Sequence, residues 1–174
     1  MTSIIKVDQI QNTAGGTPTA TDLGLNVSGS VLQTLQATNG TVYSVGSGSG
    51  NLTGLSITIT PQSTTSKFLL TANIGHYGFI PGSGATYVFT FRRNSTDLAF
   101  VNVGTHRGFT GGIWNDDNIS PSNGFMQYLD SPSTTSTITY HVGYTTDGTM
   151  TIGRRGSGTF LGTSQGFVVQ EIAG

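Results

Sequence analysis

The chain has 174 residues, enough for one domain and an appended arm, with 7 Lys and Arg, 8 Asp and Glu, and a net charge of −1. So few cations exclude the basic patch that nucleic-acid binding needs, and the absence of cysteine excludes disulfides and thiolate metal sites. Charged residues make up only 9%, against ~25% in an ordinary globular domain. The surface must therefore be built from Ser, Thr, Asn, Gln and Gly, which suits hydrogen-bonded β structure and broad contact surfaces.

The first stretch, MTSIIKVDQIQNTAGGTPTATDLGLNVSG, residues 1–29, reads as an extended arm. Ile4, Ile5, Val7, Ile10, Leu23, Leu25 and Val27 are too many apolar residues for a solvated tail. They are too interrupted by Gly and Pro to build a core of their own. Fully extended, such an arm spans on the order of 90 Å. That is the reach of a tether, and it needs a surface supplied by something else.

Residues 30–174 read as one β domain. Gly or Pro breaks almost every window long enough for a helix, and apolar residues recur at a spacing of two. Val31–Thr38 is a strand, and Thr41–Val45 is expected to pair with it across an Asn39-Gly40 turn. Gly46–Asn51 reads as a flexible loop. Leu55–Thr60 is a strand ended by Pro61. Lys67–Tyr77 has Phe68, Leu70, Ala72 and Ile74 on one face, with His76 continuing that face. Thr86–Arg93 places Tyr87, Phe89 and Phe91 inward. Asp97–Val103, Gly108–Trp114, Gly124–Asp130, Thr137–Thr145, Met150–Arg154 and Gly166–Ala173 complete the series. Short strands separated by Gly, Pro, Asn and Ser predict an all-β, antiparallel β-sandwich, jelly-roll-like in class. No stretch approaches the ~18 apolar residues of a membrane span.

Several late strands carry apolar residues beyond what one core face uses. A strand apolar on both faces sits centrally or at a subunit interface. Tyr128, Tyr140, Val142, Phe167 and Val169 are the residues expected at such an interface, and closed symmetry is the default for a homo-oligomer.

Candidate sites are few. His76, His106 and His141 lie apart, at no metal-ligand spacing. Asn115-Asp116-Asp117-Asn118 lacks the calcium-loop pattern and reads as a polar turn, so no metal or other cofactor is expected. Trp114 beside Asn115, Asp116 and Asp117 is the best place for a sugar, because a ring stacks on sugar faces while amides and carboxylates bind hydroxyls. Trp114 also reads as a core anchor. Arg92-Arg93 and Arg154-Arg155 sit at strand ends, where Arg faces water or meets an anionic glycan or a capsid acid. No nucleophile elbow and no paired-carboxylate spacing is present, so no catalytic residue is assigned and no enzyme is expected.

The opening SIIKVDQIQN, the Gly/Thr-Pro bridge and DLGLNVSGSVLQ resemble the start of small tail-fibre-like virion proteins of tailed bacteriophages, cyanophages among them. SITITPQSTTSK at Ser56–Lys67, YLDSPSTT at Tyr128–Thr135, STITY at Ser136–Tyr140 and SQGFVVQEIAG at Ser164–Gly174 extend the likeness. The resemblance implies a homotrimeric virion part, made in the host cytoplasm and docked through residues 1–29 on another virion protein of capsid or tail. It implies no enzymatic activity. Two roles follow: a capsid-decorating (cement) or head-fibre protein, or a tail-fibre protein that recognises a host surface glycan.

Overall fold

The period-two pattern is realised as strands throughout. A computed structural model of the chain describes residues 11, 14–18, 23, 27–79, 85–98, 108–114, 122–154 and 162–174. Its elements are β1 (Val31–Asn39), β2 (Tyr43–Val45), β3 (Gly48–Ile59), β4 (Lys67–Phe79), β5 (Ala85–Arg93), β6 (Thr96–Asp97), β7 (Thr110–Trp114), β8 (Ser122–Asp130), β9 (Ile138–Thr146), β10 (Met150–Ile152) and β11 (Gln165–Ile172). Among the described residues there is no helix, and every strand pairing is antiparallel.

Two sheets form. The first runs β1-β11-β4-β10-β2, with β8 on the other side of β4; the second runs β3-β9-β5-β6, with β7 also on β5. The long β4 organises the first sheet. Residues 67–73 pair with β11, residues 77–79 pair with β10, and β8 covers the opposite side. Phe68, Leu70, Ala72 and Ile74 of β4 are fully buried, as are Phe89 and Phe91 of β5 and Tyr140 and Val142 of β9. These side chains meet in one β-sandwich-like core. Aromatic pairs join the sheets: Phe68 with Tyr140 at 5.6 Å, Phe91 stacked on Phe167 at 5.7 Å, and Tyr77 edge-on to Phe89 at 4.9 Å. Offset and edge contacts of this kind each add about 1 kcal/mol to the burial they bring.

Three local expectations are corrected. Asn39-Gly40 does not turn a hairpin, because β2 pairs with β10 rather than β1. The Asn39 amide explains this: its Oδ1 accepts from Thr41 N–H (2.8 Å) and its Nδ2 donates to the Thr53 carbonyl (2.8 Å). The chain is kinked by an Asx turn but continues along the sheet edge. Gly48–Asn51 is strand, paired with Gly143–Thr146 of β9. Nor does His76 continue the inward face of β4. Gly75 adopts φ +67 and a bulge shifts the register with β8 after Asn73, so Tyr77 takes the buried place.

Candidate interaction surface

The two outer faces differ in chemistry. On the second sheet, hydroxyls pair across strands: Thr58 with Thr139 (2.9 Å), Thr60 with Thr137 (2.8 Å) and Ser49 with Thr145 (2.9 Å). Ser56 Oγ meets His141 Nδ1 at 2.6 Å, and burial together with the Arg92 guanidinium pushes His141 below the usual imidazole range. Arg92 lies across this face. It donates to Asp97 (2.6 Å), to Ser49 Oγ (2.6 Å), to the Gly50 carbonyl (2.7 Å) and to Asn51 Oδ1 (2.9 Å). It fits because position 143 is glycine, where a Cβ would come within 2.9 Å of the guanidinium. This face satisfies itself and offers little to a partner.

The first sheet's outer face is apolar by comparison. On β8, Phe125 is 64% exposed and Leu129 47%. Leu69 pairs with Leu129, Ile172 pairs with Val31, and Val31 is 54% exposed. Diagonal neighbours on a sheet lie within reach of each other. Val31, Ile172, Leu69 and Leu129 therefore form one apolar patch, with Lys67 the only charge beside it among the described residues.

The patch adjoins the segment that leads into β1. Gly29 N–H donates to the Ala173 carbonyl (2.8 Å) and Ala173 N–H to the Ser30 carbonyl (2.8 Å), fastening the chain entry to its exit. Before this point Leu23 and Val27 are exposed, and neither belongs to the core cluster. Ile4, Ile5, Val7, Ile10 and Leu25 lie outside the described residues.

The interface expected at Tyr140, Val142, Phe167 and Val169 is corrected. All four are fully buried inside a single chain, on the faces that meet the other sheet, and so have no surface left for a second copy. Tyr128 is half-buried against the core, its ring 5.2 Å from Phe109. The surplus apolar residues are instead those on the opposite face of β8, Phe125 and Leu129. Trp114 ends β7, opposite Ala85, while Asn115, Asp116 and Asp117 lie outside the described residues. Arg92 and Arg93 do not face water as a pair. Arg93 turns inward and donates to both oxygens of Asp130 (3.0 and 2.9 Å), which also accepts from the Tyr140 hydroxyl (2.7 Å). Burial, then the bond to Asp130, raises the Tyr140 hydroxyl well above the usual phenol range. This cluster joins β5 and β9 of one sheet to β8 of the other. Alternation within a strand decides it: neighbouring arginines must point to opposite faces.

Among the described residues no three His, Asp or Glu side chains converge to hold a metal ion, and no helix is long and apolar enough to cross a membrane. No protein-family model and no curated protein matches the chain.

Proposed function

We propose that this chain is a structural component of a tailed-phage particle, a homotrimeric capsid-decorating or head-fibre protein docked on another virion protein through its N-terminal arm. The observation that carries the reading is the arm root. Leu23 and Val27 stand exposed beside a body whose core closes without them. Apolar pieces of an extended segment add to a neighbour's sheet edge or groove, with backbone hydrogen bonds for affinity and side-chain knobs for register. Three arms on one trimer give avidity to weak single contacts. The strand order supports the jelly-roll reading. Taking β2 with β1, β10 with β11 and β7 with β6, the sheets read β1-β11-β4-β8 and β3-β9-β5-β6, an arrangement used by capsid proteins and lectins. The role is mechanical and assigns no catalytic group.

Deleting residues 2–27 tests the docking. The truncated protein is expected to keep its melting transition and to lose incorporation into particles, scored by immunoblot of purified virions. Unchanged incorporation would sink the arm as the docking element.

The trimer surface is placed on the Val31, Ile172, Leu69 and Leu129 patch. Light scattering on a sizing column is expected to give the mass of three chains. Leu129→Lys, which sets a charge in the middle of the patch, should bring it toward one chain. A monomeric parent protein removes the trimer, and a trimeric Leu129→Lys variant moves its interface elsewhere.

The second reading is a tail-fibre protein that recognises a host surface glycan. It draws on the exposed ring of Phe125, set among amides and hydroxyls.

A further inference from the structure

The bulge in β4 does more than shift a register. At Gly75 the chain takes φ +67, and Gly75 N–H donates to Asn73 Oδ1 (2.9 Å). The segment at Thr163–Ser164 packs directly on this kink. A Cβ at position 75 would come 2.6 Å from Thr163 Oγ1 and 2.9 Å from the Ser164 carbonyl. Thr163 is held there because its Oγ1 accepts from His76 N–H and its own N–H donates to the Gly153 carbonyl (2.9 Å). The kink lies where β4 changes partner from β11 to β10. Across it runs β8, with Asn123 opposite His76, Gly124 opposite Gly75 and Phe125 opposite Asn73.

The result is a groove of about 340 Å³ lined by Asn73, Gly75, Asn123, Gly124, Phe125, Thr163 and Ser164. Its volume sits at the lower end of the ~300–1,000 Å³ of small-ligand sites. That suits one compact ring better than an extended chain. Among the described residues none of the lining side chains is charged, so these residues offer no counter-ion to an anion and no carboxylate to a cation or metal. It offers an aromatic ring that is 64% exposed. Around the ring stand the Asn73 amide N–H groups, the whole Asn123 amide, the Thr163 hydroxyl proton and the Ser164 hydroxyl. Among the described residues none of these has a hydrogen-bond partner within the chain. Amides and hydroxyls both donate and accept. A ligand with many hydroxyls, no charge and one apolar face matches this set. The electron-rich ring face attracts the polarised C–H groups of such a face.

We propose that this groove binds a neutral sugar ring, with Phe125 stacking on its apolar face and Asn73, Asn123, Thr163 and Ser164 bonding its hydroxyls. This gives the glycan-recognition reading a location, and it rests on that reading. It lies two rows from Leu129 on the same face of β8, so the apolar patch and the groove are separate surfaces.

The test uses the full-length chain and saturation-transfer difference NMR with methyl glycosides of glucose, galactose, mannose, fucose, N-acetylglucosamine and N-acetylgalactosamine. Sialic acid and glucuronic acid serve as charged comparators. At least one neutral glycoside is expected to receive saturation, strongest at its ring C–H protons, and the two acids are not. Phe125→Ala and Asn123→Ala lie on the exposed face and should leave the melting temperature unchanged. Phe125→Ala is expected to weaken binding about tenfold, while Phe125→Tyr retains it. Binding that survives both alanine variants overturns the groove but leaves glycan recognition standing at another site. Binding of the acids alone overturns the neutral-sugar assignment. No binding to any member overturns both, and the particle-docking role is unaffected.

Discussion

Replacing Asp130 with Ala is expected to lower the unfolding free energy by about 3 kcal/mol, the low end of the cost of breaking a buried ion pair. The side chain is 6% exposed and accepts three hydrogen bonds, two from Arg93 and one from Tyr140. Its removal leaves a guanidinium and a buried phenol without their acceptor. Arg93 is 29% exposed and recovers part of its hydration, which sets the loss at the low end. Tyr140 is fully buried and has no such recourse. Asp130→Asn keeps an oxygen for the phenol and removes the charge, so about 2 kcal/mol is expected. Tyr140→Phe, which deletes one donor and leaves the packing against Phe68, should cost about 1 kcal/mol. Urea unfolding with unchanged m-values measures all three. In the Tyr140→Phe background the Asp130→Ala penalty should shrink, since the two residues share one network. A loss under about 1 kcal/mol for Asp130→Ala would show that water already reaches the cluster and that it does not clamp the sheets.

The placement of this cluster shows what alternation alone conveys. Period-two spacing in β4 and β5 marks the buried faces correctly, because Phe68, Leu70, Ala72 and Ile74, then Tyr87, Phe89 and Phe91, repeat without interruption. The same spacing tells neighbours apart only in pairs. Arg92 and Arg93 necessarily point to opposite faces, yet which face meets Asp130 depends on β8, 37 residues away in sequence. Gly48–Asn51 was illegible as strand for a different reason. Its pairing with β9 is a backbone ladder that needs no apolar side chains, so a Gly- and Ser-rich stretch carries no periodic apolar signal. The bulge at Gly75 shifts the phase of everything after it in β4, and a single glycine in a strand announces such a shift without saying where the phase resumes.

The interaction surfaces were less legible than the core. Tyr140, Val142, Phe167 and Val169 alternate with polar residues or with Val168, and pattern alone does not say which of two faces is covered. Only the pairing of sheets does: the inward face takes the largest side chains, and the outer face keeps Phe125, Leu129, Val31 and Ile172. The groove at Phe125 had no sequence signature at all. Its residues come from three separated segments, joined by the change of partner along β4. Residues 1–29 read as an arm from composition, apolar residues interrupted by Gly and Pro, and most of them lie outside the described residues.

Glu171 supplies the second large expected effect, and it ties the start of β1 to the core. It is fully buried on β11, facing inward, with Gln33 of β1 on one side and Phe68 of β4 on the other. Among the described residues no cation pairs with it. Its oxygens are held by Gln62 N–H (2.7 Å) at the β3–β4 corner and by the Gln33 amide, which also donates to the Thr60 carbonyl (3.0 Å). One carboxylate thus gathers β1, β11 and the corner beside Pro61. Glu171→Ala strands a backbone donor and a side-chain amide and opens a void, so a loss of about 3 kcal/mol is expected. Glu171→Gln should change stability by less than about 1 kcal/mol. The new amide still accepts from Gln62 N–H, and a flipped Gln33 amide turns its oxygen to the new N–H groups. Burying a neutral group also removes the desolvation cost of the charge. Chemical denaturation of the two variants separates the alternatives. If Glu171→Gln is as damaging as Glu171→Ala, the negative charge itself is needed, and a cation from outside the described residues must reach it. If both are mild, the corner is held by Gln33 and Thr60 without the carboxylate.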